Sequence, residues 1–417
     1  MKEGYKRTEV GIIPEEWNVV KVGELVNTLK SGLSRSLKDE NVGIPCIRSN
    51  NIKNSRLVLD DLKYWFRVDD KGAKIEDYIL KKGDIIINFI NSISQIGKGC
   101  IFNKEDFEAI YTTNLLRIQI NEEKMTNKFF YYYTQTEKYK KEVGLITKPA
   151  VNQASFTTVE YKAIKFPVPP LKEQQRIAEI LSTVDSQIDD TDKLIEKTKE
   201  LKKGLMQRLL TKGIGHTEFK KTEVGEIPVE WEVRRLGEIV NIKSGNSPSK
   251  FNFCDDGKYP FFKVDDMNYS TKYLRIGKLY YNVSNFDLMN KGMIIFPKRG
   301  ASIFTNKILI LDSDGFFDTN LMGLICNKEV NNEFLYYFLS YYELSKIADT
   351  SSIPQINNKH IEPLIIYLPG MKEQKEIANI LSSIDNQIEG YENKKIKLEE
   401  LKKGFMQKLL TGKIRVI

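Results

Sequence analysis

The most regular alternation of apolar and polar positions lies in two stretches that open "LKEQQRIAEILSTVDSQID" at Leu171 and "MKEQKEIANILSSIDNQIE" at Met371. In the first, Ile177, Leu181, Val184, Ile188, Ile195, Leu205 and Leu209 form one apolar stripe. In the second the stripe is Ile377, Leu381, Ile384, Ile388, Tyr391, Leu398, Phe405 and Leu409. Spacings of mostly three, four or seven place each set on one face of a helix. Each stretch follows a proline-marked strand exit, "FPVPPLKEQ" or "YLPGMKEQ", where proline excludes an earlier helix and pre-sets the first turn. About forty residues at 1.5 Å each make a rod of roughly 60 Å, too long to hide such a stripe alone, so the two helices are expected to pair as a coiled coil. The first helix delivers the chain into a second domain, which must hand it back to the start of the second helix. The pair is therefore expected to be antiparallel, with the C-terminal "LLTGKIRVI" close to the N-terminal segment.

Outside these rods the apolar runs are short. "DIIINFI" and "MIIFP" stand between Gly, Asn, Asp and Pro, which predicts mostly β cores. Two aromatic-rich helical stretches, from Asn127 and from Asn332, show core spacing and are read as core rather than as base-stacking platforms. The expected fold class is α+β: two mostly-β globular domains in pseudo-twofold arrangement, separated by an antiparallel coiled coil of two long helices.

The duplication extends beyond the helices. "KRTEVGIIPEEWNVVKVGELV" from Lys6 and "KKTEVGEIPVEWEVRRLGEIV" from Lys220 agree at thirteen of twenty-one positions. "GIPCIRSNNI" faces "KYPFFKVDDM", "KKGDIII" faces "NKGMIIF", and "TTNLLRI" faces "DTNLMGL". The repeat offset shrinks between head and helix, so the first copy carries about fourteen extra residues in its middle. The expected organisation is a first domain with its head segment at 1–170, a helix at 171–212, a second domain with the repeated head at 213–370, and a second helix and tail at 371–417.

Composition narrows the chemistry. The 417 residues, 41% of them hydrophobic, suffice for two or three cores. No run of eighteen apolar residues occurs and the start lacks a signal-peptide core, so a cytoplasmic protein with no membrane partner is expected. Cys46, Cys100, Cys254 and Cys326 stand far apart, as do His216 and His360, which argues against zinc sites and disulfides. The excess of 64 Lys+Arg over 56 Asp+Glu, net +8, suits a polyanionic partner without establishing one. Catalytic signatures are missing. The one Pro-Pro pair, Pro169-Pro170, sits outside any amino-methyltransferase tetrapeptide, and no Gly-Lys pair is followed by the Ser or Thr of a P-loop. There is no H-E-x-x-H, no G-x-S-x-G and no Pro-Asp pair.

The paired heads "TEVGIIPEEW" and "TEVGEIPVEW", and the helices running from "LKEQQRIAEILS" to "ELKKGLMQRLLT" and from "MKEQKEIANILS" to "ELKKGFMQKLLT", resemble the specificity subunit of type I restriction–modification enzymes over the whole chain. The resemblance implies a non-catalytic DNA reader. Each target-recognition domain would read one half of a bipartite site in double-stranded DNA. The helices would set the half-site spacing and dock two modification (methyltransferase) subunits, and restriction (translocase and nuclease) subunits would complete the complex. It implies no cofactor in this chain, because S-adenosylmethionine, ATP and Mg²⁺ would belong to the partners. Two readers need a rigid ruler to meet two half-sites in phase, and a flexible linker would leave their separation undefined.

Base edges and phosphates are met by Arg, Lys, Asn, Gln, Ser and Thr on loops. In the first domain the candidates are "SGLSRSLK" (Ser31, Ser34, Arg35, Lys38), "RSNN" (Arg48, Asn50, Asn51) and "NSISQIGK" (Asn91, Ser94, Gln95, Lys98). In the second they are "SGNSPSK" (Asn246, Ser249, Lys250), "KVDDMN" (Lys263, Asn268) and "PKRGAS" (Lys298, Arg299, Ser302). Two further polar segments, with Lys148, Asn152 and Gln153 and with Gln355, Asn357 and Lys359, are either readers or structural. Lys202, Lys203, Lys402 and Lys403 are candidates for a partner surface, and Trp17 and Trp231 for packing anchors. The competing readings are a DNA enzyme with an atypical site around Asp84 or Asp265, and a coiled-coil adaptor without sequence readout.

Overall fold

The computed structural model describes residues 3–151, 153–223, 225–282, 288–349 and 353–416. The chain forms two compact units, one made of Met1–Thr191 with Lys394–Ile417 and the other of Asp192–Asn393. The class is α+β, with long helices at Leu171–Lys212 and Met371–Leu409. Each unit holds one domain, the first half of one long helix and the last part of the other.

In the first unit the head hairpin (Tyr5–Thr8 against Gly11–Pro14) leads to a strand, Asn18–Lys21, paired antiparallel with Lys165–Val168 just before the long helix. The domain centre is a four-stranded antiparallel sheet in the order Gly99–Ile101, Ile85–Asn88, Leu115–Ile120, Val26–Ser31. A mixed sheet of Ile110–Tyr111, Ile44–Ile47 and Lys63–Trp65 stands beside it. Ile85, Ile86 and Ile87 are all fully buried because this strand lies between two layers. Ile85 and Ile87 face the aromatic helix and the start of the long helix, and Ile86 faces a second core with Tyr111 and Leu115. A strand covered on both faces reads as a continuous apolar run.

The second unit repeats this plan. Its head hairpin is Phe219–Thr222 with Gly225–Pro228, its entry pair Glu232–Arg235 with Ile365–Leu368, and its central sheet is built around Leu321–Cys326 and Ile294–Pro297. Ile294 and Phe296 face the aromatic helix, and Ile295 faces the other core. The aromatics of Asn127–Tyr133 and Asn332–Tyr342 are core residues: Phe129, Phe130, Phe334 and Tyr337 are 0% exposed.

The long helices pack antiparallel within each unit. In the first, Ile177 and Leu181 share a core with Leu409 and Leu410; in the second, Ile377 and Leu381 share one with Leu209 and Leu210. The covered positions of the first helix fall at 177, 181, 184, 188, 191, 195, 198, 202, 205 and 209, alternating steps of four and three. That is the heptad seam of a coiled coil. It includes polar residues that the apolar stripe passes over, namely Thr191 and Thr198. Their hydroxyls are satisfied by donating to the carbonyls of Gln187 and Leu194, each at 2.7 Å. The same frame runs through the second helix from Ile377 to Leu409, with Leu398 and Phe405 half-buried.

Candidate nucleic-acid interface

The domains that carry the candidate readers are fastened to the long helices by the residues repeated most faithfully. Gln174 and Gln374, 0% and 1% exposed, act as clamps. Gln174 Oε1 accepts from the Thr126 amide at 2.8 Å, and its Nε2 donates to the carbonyls of Lys124 and Pro169. Gln374 does the same with the Asn331 amide and the carbonyls of Glu329 and Pro369. Thr126 and Asn331 are themselves the N-caps of the aromatic helices, so one buried amide joins two helix starts.

Glu173 and Glu373 join head segment, helix start and the far end of the other helix. Glu173 accepts from Trp17 Nε1 at 2.9 Å and pairs with Arg415 at 2.6 Å. Glu373 accepts from Trp231 Nε1 at 3.0 Å, the Ile214 amide and His216 Nε2, both at 2.9 Å. Trp17 and Trp231 are anchors, buried to 0% and 1% exposure. The end of the chain meets the head: Tyr5 Oη donates to the Gly412 carbonyl at 2.9 Å, and Arg415 pairs with Glu16 at 2.7 Å.

A third fastening lies about three helix turns further along the rods. Tyr132 Oη donates to Asp185 Oδ2 at 2.8 Å, and Lys402 Nζ stands 2.7 Å from Asp185 Oδ1. Its repeat is Tyr337 Oη to Asp385 Oδ2 at 2.6 Å, with Lys202 at 2.6 Å. Burial, and next the adjoining aspartate, push both tyrosines far above their usual range. A domain cation reaches the same place in each copy. Arg56 pairs with Asp185 and Asp189, while Lys272 Nζ donates to Tyr337 Oη, Ser382 Oγ and Glu333. Arg56 closely follows "RSNN", and Lys272 follows "KVDDMN". Lys202 and Lys402 are therefore seam residues committed to these pairs, whereas Lys203 and Lys403 are exposed.

The candidate readers divide by what their side chains already do. Ser34, Lys38, Asn50, Gln95, Lys98, Ser249, Lys250, Asn268 and Arg299 are exposed. Arg48 and Asn50 both bond the Asp61 carboxylate, so "RSNN" is held as a unit. Asn91 donates to Asn88 Oδ1 within its loop. Lys298, half-buried, donates to Ser244 Oγ at 3.1 Å, and burial lowers its pKa. Ser302 donates its hydroxyl to the Arg299 carbonyl, whereas Asn246 and Lys263 give, among the described residues, only backbone N–H groups, to the Phe317 carbonyl and to Asp266 Oδ2. Asn152 lies outside the described residues.

Two candidates have side chains already engaged within the domain. Asn51 is 1% exposed; its Oδ1 accepts from the Arg48 amide and its Nδ2 donates to the carbonyls of Val58 and Asp60. Its counterpart Asp266 makes the same turn with Lys263, so the position builds the loop. Arg35 forks onto Asp69 at 2.8 and 2.7 Å and gives a further N–H to the Ser34 carbonyl. Its guanidinium holds the buried Asp69 carboxyl well below the usual range. The glycines of the two "SG" segments have a local reason as well. A Cβ on Gly32 would stand 2.1 Å from the Tyr111 carbonyl oxygen, and one on Gly245 1.9 Å from that of Asp318. Backbone passes too close there for any side chain. Asp84 closes the turn at Lys81 and accepts from Gln119, and among the described residues no cluster of His, Cys, Asp and Glu could hold a metal ion.

The family model for the type I restriction modification DNA specificity domain matches the chain twice, over residues 14–200 and 228–400. The chain belongs to this family. A candidate type I restriction enzyme specificity subunit, MjaX, of Methanocaldococcus jannaschii is 35% identical over 426 residues, covering 100% of this chain and 97% of that protein. The MjaVIII specificity subunit of the same organism is 30% identical over 442 residues, covering 100% and 97%. Among solved structures, a type I restriction–modification S subunit from M. genitalium superposes with a TM-score of 0.60 at 17% identity, covering 94% of this chain and 96% of that one. A chain from a structure addressing complex assembly and conformational transition of the type I R-M system gives 0.57 at 17% identity, covering 96% and 99%. These chains share the fold.

Each match to the specificity family takes in one domain and most of the helix that follows it, including the Glu-Gln pair and the aspartate. Sequence reasoning saw these residues repeat but gave them no task. The signal was available: a Glu-Gln pair and an aspartate kept at the same helical offsets in two copies whose domain loops have diverged. No helix among the described residues is long and apolar enough to cross a membrane.

Proposed function

We propose that this chain is the DNA-sequence-specificity subunit of a type I restriction–modification complex. Each domain reads one half of a bipartite duplex site, and the paired long helices hold the two readers at a fixed spacing. The exposed helix faces dock two modification subunits, and restriction subunits join that assembly. Methyl transfer, translocation and cleavage belong to those partners; this chain selects where they act.

The observation that carries the reading is the contrast between fastening and loop. Gln174 and Gln374, Glu173 and Glu373, and Asp185 and Asp385 fix both domains to the helices in the same way, while the loops of those domains differ in sequence. Such a chain presents two unlike readers on one frame, as a non-palindromic site requires. The readers proposed are the exposed residues of "SGLSRSLK", "RSNN" and "NSISQIGK" in the first domain and of "SGNSPSK", "KVDDMN" and "PKRGAS" in the second, without Asn51 and Arg35.

The test exchanges residues 241–370 for the corresponding segment of another family member and maps adenine methylation in a host that supplies the modification subunits. One half of the site is expected to change and the other to persist. Unchanged specificity would favour an adaptor without readout. Methylation by the purified chain with S-adenosylmethionine alone would overturn the reading.

A further inference from the structure

Each unit contains a cleft between its domain and its long helices, of about 950 Å³ in the first and 980 Å³ in the second. The two clefts share the last part of a long helix and the end of the aromatic helix, but the second extends over the start of the other long helix with Asp385, Glu389 and Glu392, and the first over Gln95, Gly97, Lys98, Gly99 and Lys413. The second is lined by six cations and four carboxylates, and Lys199, Lys202, Lys272, Arg275 and Lys346 are each in an ion pair. The first is lined by seven lysines and two glutamates. Lys140 pairs with Glu137 and Lys402 with Asp185. Among the described residues Lys53, Lys98, Lys138, Lys403 and Lys413 have no ion pair, and all but the half-buried Lys138 are exposed.

Among the described residues no carboxylate is paired with these five lysines, although Glu137 and Glu399 also line the cleft. Lysines that outnumber the carboxylates around them repel one another, and a polyanion relieves that repulsion. Their placement says which polyanion. Lys53 is in the hairpin that directly follows "RSNN", and Lys98 closes "NSISQIGK" beside Gln95, which also lines the cleft. The cleft thus continues the proposed reading surface of the first domain onto the second long helix, where Lys403 stands, and its end, where Lys413 stands.

We infer that the cleft of the first unit is a phosphate track: Lys53, Lys98, Lys403 and Lys413 hold the DNA backbone beside the half-site read by the first domain. One long helix is thereby part of the DNA interface on that side. The inference rests on the DNA-reading function proposed above.

The experiment compares the full-length chain with its Lys53→Gln/Lys403→Gln/Lys413→Gln variant. Binding to a duplex carrying the chain's own bipartite site is measured from about 50 to about 200 mM salt. Each phosphate contact contributes about 0.9 to the slope of log affinity against log salt, so the variant is expected to lose about 2 to 3 from that slope. Its base preference at both half-sites should stay the same. A variant with the full slope overturns the track. If the slope is unchanged but assembly with the modification subunits is lost, the cleft holds an acidic protein segment and the inference is also overturned. A parent chain without preference for any bipartite duplex would overturn the reading function itself, which separates the two failures.

Discussion

Asn51 and Arg35 show what a residue's identity leaves open. Both are types that read bases, both stand in polar loops, and both are spent inside the domain. A single sequence lists donors and acceptors, but whether a loop turns a side chain outward depends on partners many positions away, here Val58, Asp60 and Asp69. The Arg35–Asp69 pair has a measurable consequence. Asp69 keeps its charge because the guanidinium bonds it, followed by the Ala73 amide and the Trp65 indole. A carboxylate whose folded pKa is depressed adds stability above its unfolded value of about 4, and that contribution is lost as pH falls through the folded value. Arg35→Gln should therefore lower the urea midpoint at neutral pH and flatten its decline below about pH 4. Midpoints that shift equally at every pH would show that the pair contributes packing alone.

At the scale of elements, the helices were legible and their seam only partly so. The apolar stripe from Ile177 to Leu209 predicts a rod and a partner, and the structure supplies both. It does not reveal Thr191, Thr198 and Lys202 as seam positions, because polar residues at such places depend on what faces them. Lys202 and Lys402 are covered because Asp385 and Asp185 wait opposite, with a tyrosine ring beneath each ammonium group at 5.6 and 5.8 Å. A polar residue at a seam position fixes register at some expense in stability. In this chain it also ties each domain to the rod. Asp185→Asn preserves an acceptor for Tyr132 but leaves Lys402 without its counter-ion, and is expected to cost about 2 kcal/mol in urea unfolding. If the tie positions the first reader, duplexes with altered spacers should compete better against the variant than against the parent, at unchanged half-site sequences. Equal spacer discrimination in the two proteins would leave Asp185 a purely stabilising residue.

At the scale of the whole molecule the proposed function makes helix length a spacing rule, and the seam shows where that rule can be tested without touching either reader. The two units divide the first helix between Thr191 and Asp192 and the second between Asn393 and Lys394. Both cuts fall between consecutive seam positions, 191 and 195 in one helix and 391 and 395 in the other. Seven residues inserted at both cuts therefore keep the four-and-three frame and leave every fastening of both domains in place. Two added turns lengthen each rod by about 10.5 Å, the rise of about three base pairs. The preferred spacer is expected to grow by that amount with both half-sites retained, as read from methylation of a randomised-spacer library. Affinity should fall as well, since three base pairs turn the far half-site by about 100° on a duplex of 10 to 10.5 base pairs per turn, and the protein or the DNA must twist to recover phase. An insertion in one helix alone shifts its seam past the other by a full heptad and pulls Lys402 from Asp185 or Lys202 from Asp385. The matched double insertion should therefore be the more stable of the two. If the double insertion kept the original spacer, the helices would be a frame for partner subunits and the reading distance would be set elsewhere.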